Sequence, residues 1–392
     1  MASAQSRPSD PVFATATGGS PVAVALGGLI AMAVGIGIGR FVYTPILPPM
    51  LAALGLSKAT AGLIASANFA GYLAGALGAA RGTLPGSRRT WLLGALVGSA
   101  VTTGAMGFTG SVMVFLALRF LGGVASAFAL ILASTLVLDR LARSGRSGLA
   151  APHFAGVGVG IAVSAALVGG LCGGEWETMW RLSGAVSLAG TVAVALLIPA
   201  GGEVSDAVFP VGAAKTDPRL WRMGLSYGLF GFGYVITATF LVAMVRATPE
   251  IGALEPVIWI VVGLAAAPSV LFWNGLRRRI GLAAAFSIAA LTEAAGVLAS
   301  VVWRSEAGIC AAAVLVGGTF MGLTALGLMR GRELAGAGDP RRAMAGLSAA
   351  FGAGQIVGPL VAGVVSDWTG GFGVPSVAAA GALVLAAWLG RR

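Results

Sequence analysis

Twelve apolar runs, each near the ~20 residues that cross a hydrocarbon core, leave this chain very few folds to choose from. They cover about 21–52, 59–80, 90–110, 113–138, 149–172, 180–199, 220–245, 254–273, 281–303, 308–329, 342–366 and 372–390. Only 10% of the 392 residues are charged and the mean hydropathy is +0.92, whereas a soluble domain carries roughly 25% charged residues. The expected class is therefore an all-α, multi-pass membrane protein. Its 62 glycines suit helices that pack closely where no hydrophobic effect drives them together.

The longest hydrophilic break divides the runs six and six. The expected organisation is a tail over 1–20, a six-helix half over 21–200, a linker over 201–219 and a second six-helix half over 220–392. Residues 1–20 are rich in Ser, Ala, Thr and Pro and read as a disordered cytoplasmic tail. With the N-terminus inside, 19 of the 25 basic residues fall in inside segments and 4 (Lys58, Arg181, Arg246 and Arg304) fall outside. That asymmetry predicts both termini in the cytoplasm. It also explains the net charge of +11 without nucleic acid, because the cations sit in short loops as topology determinants. Cys172 and Cys310 lie in apolar runs with no metal-ligand spacing. No metal site, cofactor loop or hydrolase elbow is legible, and the Gly-x-Gly pairs at Gly35–Gly39 lack the strand and acidic residue of a dinucleotide site.

The first run ends in the most informative stretch, Gly37–Met50, which reads GIGRFVYTPILPPM. Helical spacing puts Arg40, Tyr43, Thr44 and Leu47 on one side. Pro45, Pro48 and Pro49 should bend the helix, and irregular backbone at membrane depth needs protein or a water-filled cavity beside it. The stretch recurs: Gly231–Met244 reads GFGYVITATFLVAM, which pairs Gly37 with Gly231, Arg40 with Tyr234, Tyr43 with Thr237 and Met50 with Met244. Nearly the same offset carries Gly122-Gly123 onto Gly317-Gly318. Two similar halves with polar residues at their interface are a transporter signature.

These features resemble the major facilitator superfamily, and within it the YbfB/YjiJ-type branch of bacterial transporters. The match rests on GIGRFVYTPILPPM, RFLGGV from Arg119, HFAGVGVGIAVSA from His153, YGLFGFGYVITATFLVAM from Tyr227, VGLAAAPSVLFW from Val262 and FGAGQIVGPLVAG from Phe351. The resemblance implies a monomer that moves a small-molecule substrate across the bacterial cytoplasmic membrane by alternating access, with protons as a coupling ion. It implies a site between helices 1, 4, 7 and 10, with helices 3, 6, 9 and 12 as an outer layer. One departure stands out. The loop after helix 2, Gly78 to Arg89, keeps its arginines but lacks the aspartate of the superfamily's usual motif, which leaves Asp139 as the available partner for Arg81 or Arg88 in an inner gate.

The candidate substrate-binding residues are Arg40, Tyr43, Thr44, Arg119, Tyr234, Thr237 and Gln355. Arg40 and Arg119 either contact substrate or snorkel to the outer interface. Gln355 and Asn68 either meet substrate or bond between helices. The coupling candidates are Arg119, His153 and Glu293. His153 is the single histidine and titrates in a useful range, but it also suits packing at a helix start. Glu293 is the one acid deep in a run, yet the resemblance puts its helix in the outer layer, so Arg119 and His153 rank above it. Scarce acids along the path favour an anionic or neutral solute over a cation. A membrane-bound solute sensor and a membrane enzyme are the alternatives, the latter lacking a convergent acid, base and nucleophile.

Overall fold

The computed structural model describes residues 20–81, 85–171, 175–200, 218–335 and 340–391. The tail, most of the central linker and Cys172 therefore fall outside the described residues. Among the described residues every regular element is helical, and twelve helices are long and apolar enough to cross a membrane. They are α1 (Pro21–Leu54), α2 (Lys58–Ala79), α3 (Arg88–Phe108), α4 (Val112–Arg143), α5 (Ala150–Gly170) and α6 (Trp176–Leu197) in the first half. The second half holds α7 (Arg219–Arg246), α8 (Gly252–Ile280), α9 (Leu282–Val302), α10 (Glu306–Ala335), α11 (Ala343–Thr369) and α12 (Gly373–Arg391).

Within the first half α2 packs on α4, α3 on α6 and α1 on α5; the second half repeats this with α8 on α10, α9 on α12 and α7 on α11. The halves meet along α2 with α11, α5 with α8 and α1 with α7. Glycine makes the α5–α8 contact possible. A Cβ on Gly158 would lie 2.5 Å from the Gly263 carbonyl, and one on Gly263 would lie 2.5 Å from the Ala162 nitrogen. The two backbones touch because neither residue carries a side chain. α1 and α7 are the central helices, with 72% and 83% of their apolar windows buried, against 33% for α6.

α1 is irregular, but not where its prolines alone would place the disturbance. An α-helix to Met32 passes into a π-helical turn over Ala33–Ile38, then a short helix Gly39–Phe41, a break at Val42, and a further helix Tyr43–Leu54 that contains Pro48 and Pro49. Prolines remove donors to carbonyls four residues earlier, so Pro45 releases the Phe41 carbonyl and the chain breaks just there. The π-turn carries Gly35 and Gly37, and a Cβ on Gly37 would lie 2.5 Å from Cα of Gly160 on α5. α7, the counterpart of α1, has no such break. α1 ends at Gly55, whose φ of 60° is a left-handed cap that favours glycine.

Candidate functional site

Halfway along α1 the side chain of Arg40 is buried at 7% exposure. Its Nη2 donates to Oε1 of Gln355 on α11 at 3.0 Å, across the boundary between the halves. The Gln355 amide nitrogen donates in turn to the hydroxyl of Tyr234 on α7. The Arg40 guanidinium lies 4.4 Å from the ring centroid of Phe69 and 4.5 Å from that of Tyr72, both on α2. Cation–π contacts of this kind contribute ~2 kcal/mol when desolvated, which offsets the ~3 kcal/mol cost of an arginine at bilayer depth. Tyr234 is itself stacked parallel to Phe320 and Phe351, at 5.8 and 5.7 Å between centroids. Arg40, Gln355 and Tyr234, three residues picked out by the sequence, thus form one continuous polar chain in an aromatic shell.

Arg119 on α4 is buried beside it, with its guanidinium 5.1 Å from the Tyr43 ring. Nη1 donates to the Gly39 carbonyl and Nη2 to the Arg40 carbonyl, both at 3.2 Å. These carbonyls flank the broken part of α1, so Arg119 satisfies the irregular backbone that membrane depth would otherwise penalise. Neither arginine snorkels. Asn68 on α2 donates to the Arg119 carbonyl at 2.9 Å, which is an interhelical bond.

The expectation that Arg40, Tyr43 and Thr44 line one side is corrected by the break at Val42 and by the central position of α1. Arg40 and Tyr43 both reach α2, Arg40 through Phe69 and Tyr72 and the Tyr43 hydroxyl by donating to Ala61 at 2.8 Å, whereas the Thr44 hydroxyl donates to Ala238 of α7 at 2.7 Å. Leu47 is buried. Thr237 is buried with its hydroxyl unpartnered.

A family model described as "Uncharacterised MFS-type transporter YbfB" matches residues 32–391 of the chain. The chain belongs to this family of major facilitator superfamily transporters. It is accordingly a multi-pass membrane transporter and not an enzyme. No curated protein matches it. Solved structures of the same fold include a point mutant of the nucleoside transporter NupG, with 15% identity, a TM-score of 0.74, and 93% of this chain and 98% of that one covered. A bacterial homologue of the human lysosomal transporter Spinster, inward-facing and unoccupied, has 16% identity and a TM-score of 0.72 over 95% and 97% of the two chains. The human organic anion transporter MFSD10 has 18% identity and a TM-score of 0.61 over 94% and 99%. At these identities the likeness shows the fold alone.

The remaining candidates of this MFS transporter lie apart from the Arg40 chain. His153 on α5 is fully buried, with Nε2 3.1 Å from the Ser134 hydroxyl of α4 and Nδ1 packed against the Gly28 backbone of α1. It sits where three helices of the first half meet. Glu293 on α9 is also fully buried, so it faces protein and not lipid, despite the outer position expected for its helix. It lies beside the Thr319 hydroxyl of α10, which donates to the Leu315 carbonyl at 2.6 Å and keeps its lone pairs to accept from a protonated carboxyl. Of the residues expected at an inner gate, Arg88 approaches Asp139 at 3.7 Å, with side chains 36% and 59% exposed. A surface pair like this contributes little on its own. The side chain of Arg81 lies outside the described residues.

Sequence reasoning missed the contacts that join α2 to α11. The Asp367 carboxylate accepts from the backbone nitrogens of Lys58 at 3.1 Å and Ala59 at 2.8 Å, and so caps the first turn of α2 from the opposite half. Ser66 donates to the Ile356 carbonyl at 2.6 Å further along the same seam. Phe69 and Tyr72 were also passed over, since an aromatic residue in an apolar run carries no signal that a cation will rest on it.

Proposed function

We propose that this MFS transporter is a secondary active transporter that moves a small organic solute by alternating access, with the solute bound around Arg40. One observation carries the reading. A buried cation is bonded across the two halves through a neutral amide, beside a break in the backbone of its own helix. Movement of one half against the other acts on the Arg40–Gln355 bond, so an event at the site is coupled to the global change. Proton coupling belongs to the same reading, with Glu293, His153 and Arg119 as its candidates.

The proposed setting is the bacterial cytoplasmic membrane with both termini in the cytoplasm, supported by the 19-to-4 distribution of basic residues. An impermeant thiol reagent added to intact cells is expected to label Glu175→Cys and to spare Arg278→Cys; the reverse pattern contradicts this orientation. In that orientation the seam of Asp367, Lys58 and Ser66 lies toward the outer end.

The functional test begins with a thermal-shift screen of the purified protein, followed by counterflow of the stabilising solute in proteoliposomes. Arg40→Lys keeps the charge but loses the planar fork. It is expected to reduce counterflow roughly tenfold or more, close to Arg40→Ala, while both variants insert normally. Normal transport by Arg40→Lys would make Arg40 an anchor and remove it from the site.

A further inference from the structure

We infer that the solute is a small organic monocarboxylate with a flat, apolar body, and that its carboxylate docks on the side edge of the Arg40 guanidinium. This inference rests on the transport reading above and narrows it to a substrate class.

Hydrogen-bond accounting comes first. Nε and Nη2 are the two parallel donors on one edge of a guanidinium, and together they match the two oxygens of a carboxylate. In Arg40 the Nη2 position is taken by the Gln355 amide oxygen, whereas Nε is buried with no partner. An amide offers one oxygen, so the fork is half used. An unpaired buried donor, costly in itself, marks the place where a second oxygen is missing. Gln355 is held in that pose because its own nitrogen donates to Tyr234, which turns the amide oxygen toward the arginine.

Charge gives a second, independent argument. Among the described residues the buried ionisable side chains of the bundle include two arginines, Arg40 and Arg119, and neither has a carboxylate within 4.0 Å. Arg119 also has a buried Nε without a partner, but both its terminal nitrogens are engaged by backbone carbonyls, which carry no net charge. Glu293 on α9, a fully buried carboxyl, pairs with neither arginine, so both guanidinium charges lack a carboxylate beside them. A cationic solute would be repelled, a neutral one would leave the charge unbalanced, and an anion would neutralise it.

The walls set the body of the solute. The Phe69 and Tyr72 ring centroids lie 4.4 and 4.5 Å from the Arg40 guanidinium, and the rings supply aromatic surface beside it. Beyond Gln355 stand the parallel rings of Tyr234, Phe320 and Phe351. Flat apolar groups pack against such rings by offset stacking.

The test uses purified full-length protein and four probes of one shape: benzoate, benzamide, benzylamine and phenyl phosphate. Benzoate is expected to raise the melting temperature, with the other three giving no comparable shift at equal concentration. Arg40→Gln is expected to weaken benzoate binding at least roughly tenfold, the loss of a charge-assisted pair. Gln355→Glu supplies a carboxylate from the protein itself. It is expected to raise the melting temperature of the ligand-free protein and to abolish the benzoate shift, which a merely destabilised variant would not do. Equal stabilisation by benzamide, preference for phenyl phosphate, or no response to benzoate would each overturn the inference. Counterflow separates it from the reading beneath it. Benzoate that binds but does not exchange across proteoliposomes leaves the carboxylate site standing and removes the transport reading. Exchange of benzamide or benzylamine in preference to benzoate does the reverse.

Discussion

Arg119 and Arg40 are both arginines in apolar helices, yet their surroundings assign them different work. Arg119 fastens a broken stretch of α1 through two carbonyls, so its role is to position the backbone that carries Arg40. An arginine also holds its proton throughout, which makes it a poor proton carrier. Glu293 is the opposite case: a fully buried carboxyl beside Thr319 of α10. Tyr234 on α7 is bonded to Gln355 and through it to Arg40. The sequence ranking put Arg119 and His153 ahead; the geometry favours Glu293. Glu293→Gln keeps the shape and removes the exchangeable proton. It is expected to abolish uptake driven by a pH gradient while counterflow, which needs no proton movement, persists. Gradient-driven uptake at the wild-type rate would return coupling to His153. At this scale the sequence was a good guide to polar residues, because a lone arginine, tyrosine or glutamine in an apolar run has few harmless explanations. It was a poor guide to Phe69 and Tyr72, which look like any other lipid-compatible residues.

Among the elements, the irregularity of α1 was legible but its position was not. The prolines announce a disturbed helix, while the π-turn over Ala33–Ile38 coincides with close packing of Gly37 on Gly160 of α5, a tertiary contact between helices far apart in sequence. The same holds for the seam between α2 and α11. Asp367 looks like an ordinary loop acid until α2 is seen to start beside it. Its carboxylate then meets two of the donors that every helix N-terminus leaves free. Lys58 strengthens the junction, donating through Nζ to the Ser366 carbonyl at 3.3 Å and lying 5.8 Å from the Phe372 ring. A cap of this sort contributes ~1 kcal/mol. Because it crosses between the halves, it stabilises one conformation of the transporter and not the fold as a whole.

For the molecule as a whole, the twelve helices, the two halves and the transporter family were all readable, since bilayer thickness and backbone hydrogen bonding leave little freedom to an apolar chain. The conformation was not readable, because it depends on contacts of about 1 kcal/mol between surfaces far apart in sequence. In the proposed cycle the halves rock about the Arg40–Gln355 bond, with the Asp367 seam closing one end. Electron–electron distance spectroscopy reads that motion directly, on reconstituted protein with Cys172 and Cys310 replaced by serine. One spin-label pair, Ser57→Cys with Trp368→Cys, reports the seam end of α2 and α11. The other, Gly78→Cys with Gly346→Cys, reports their opposite end. Adding the stabilising solute is expected to change the two reciprocally, with the first distance lengthening as the second shortens. Asp367→Asn is expected to raise the long-distance population of the first pair roughly fivefold, the equivalent of ~1 kcal/mol. Distances that stay fixed at both ends, or that change in the same direction, would contradict rocking about this bond.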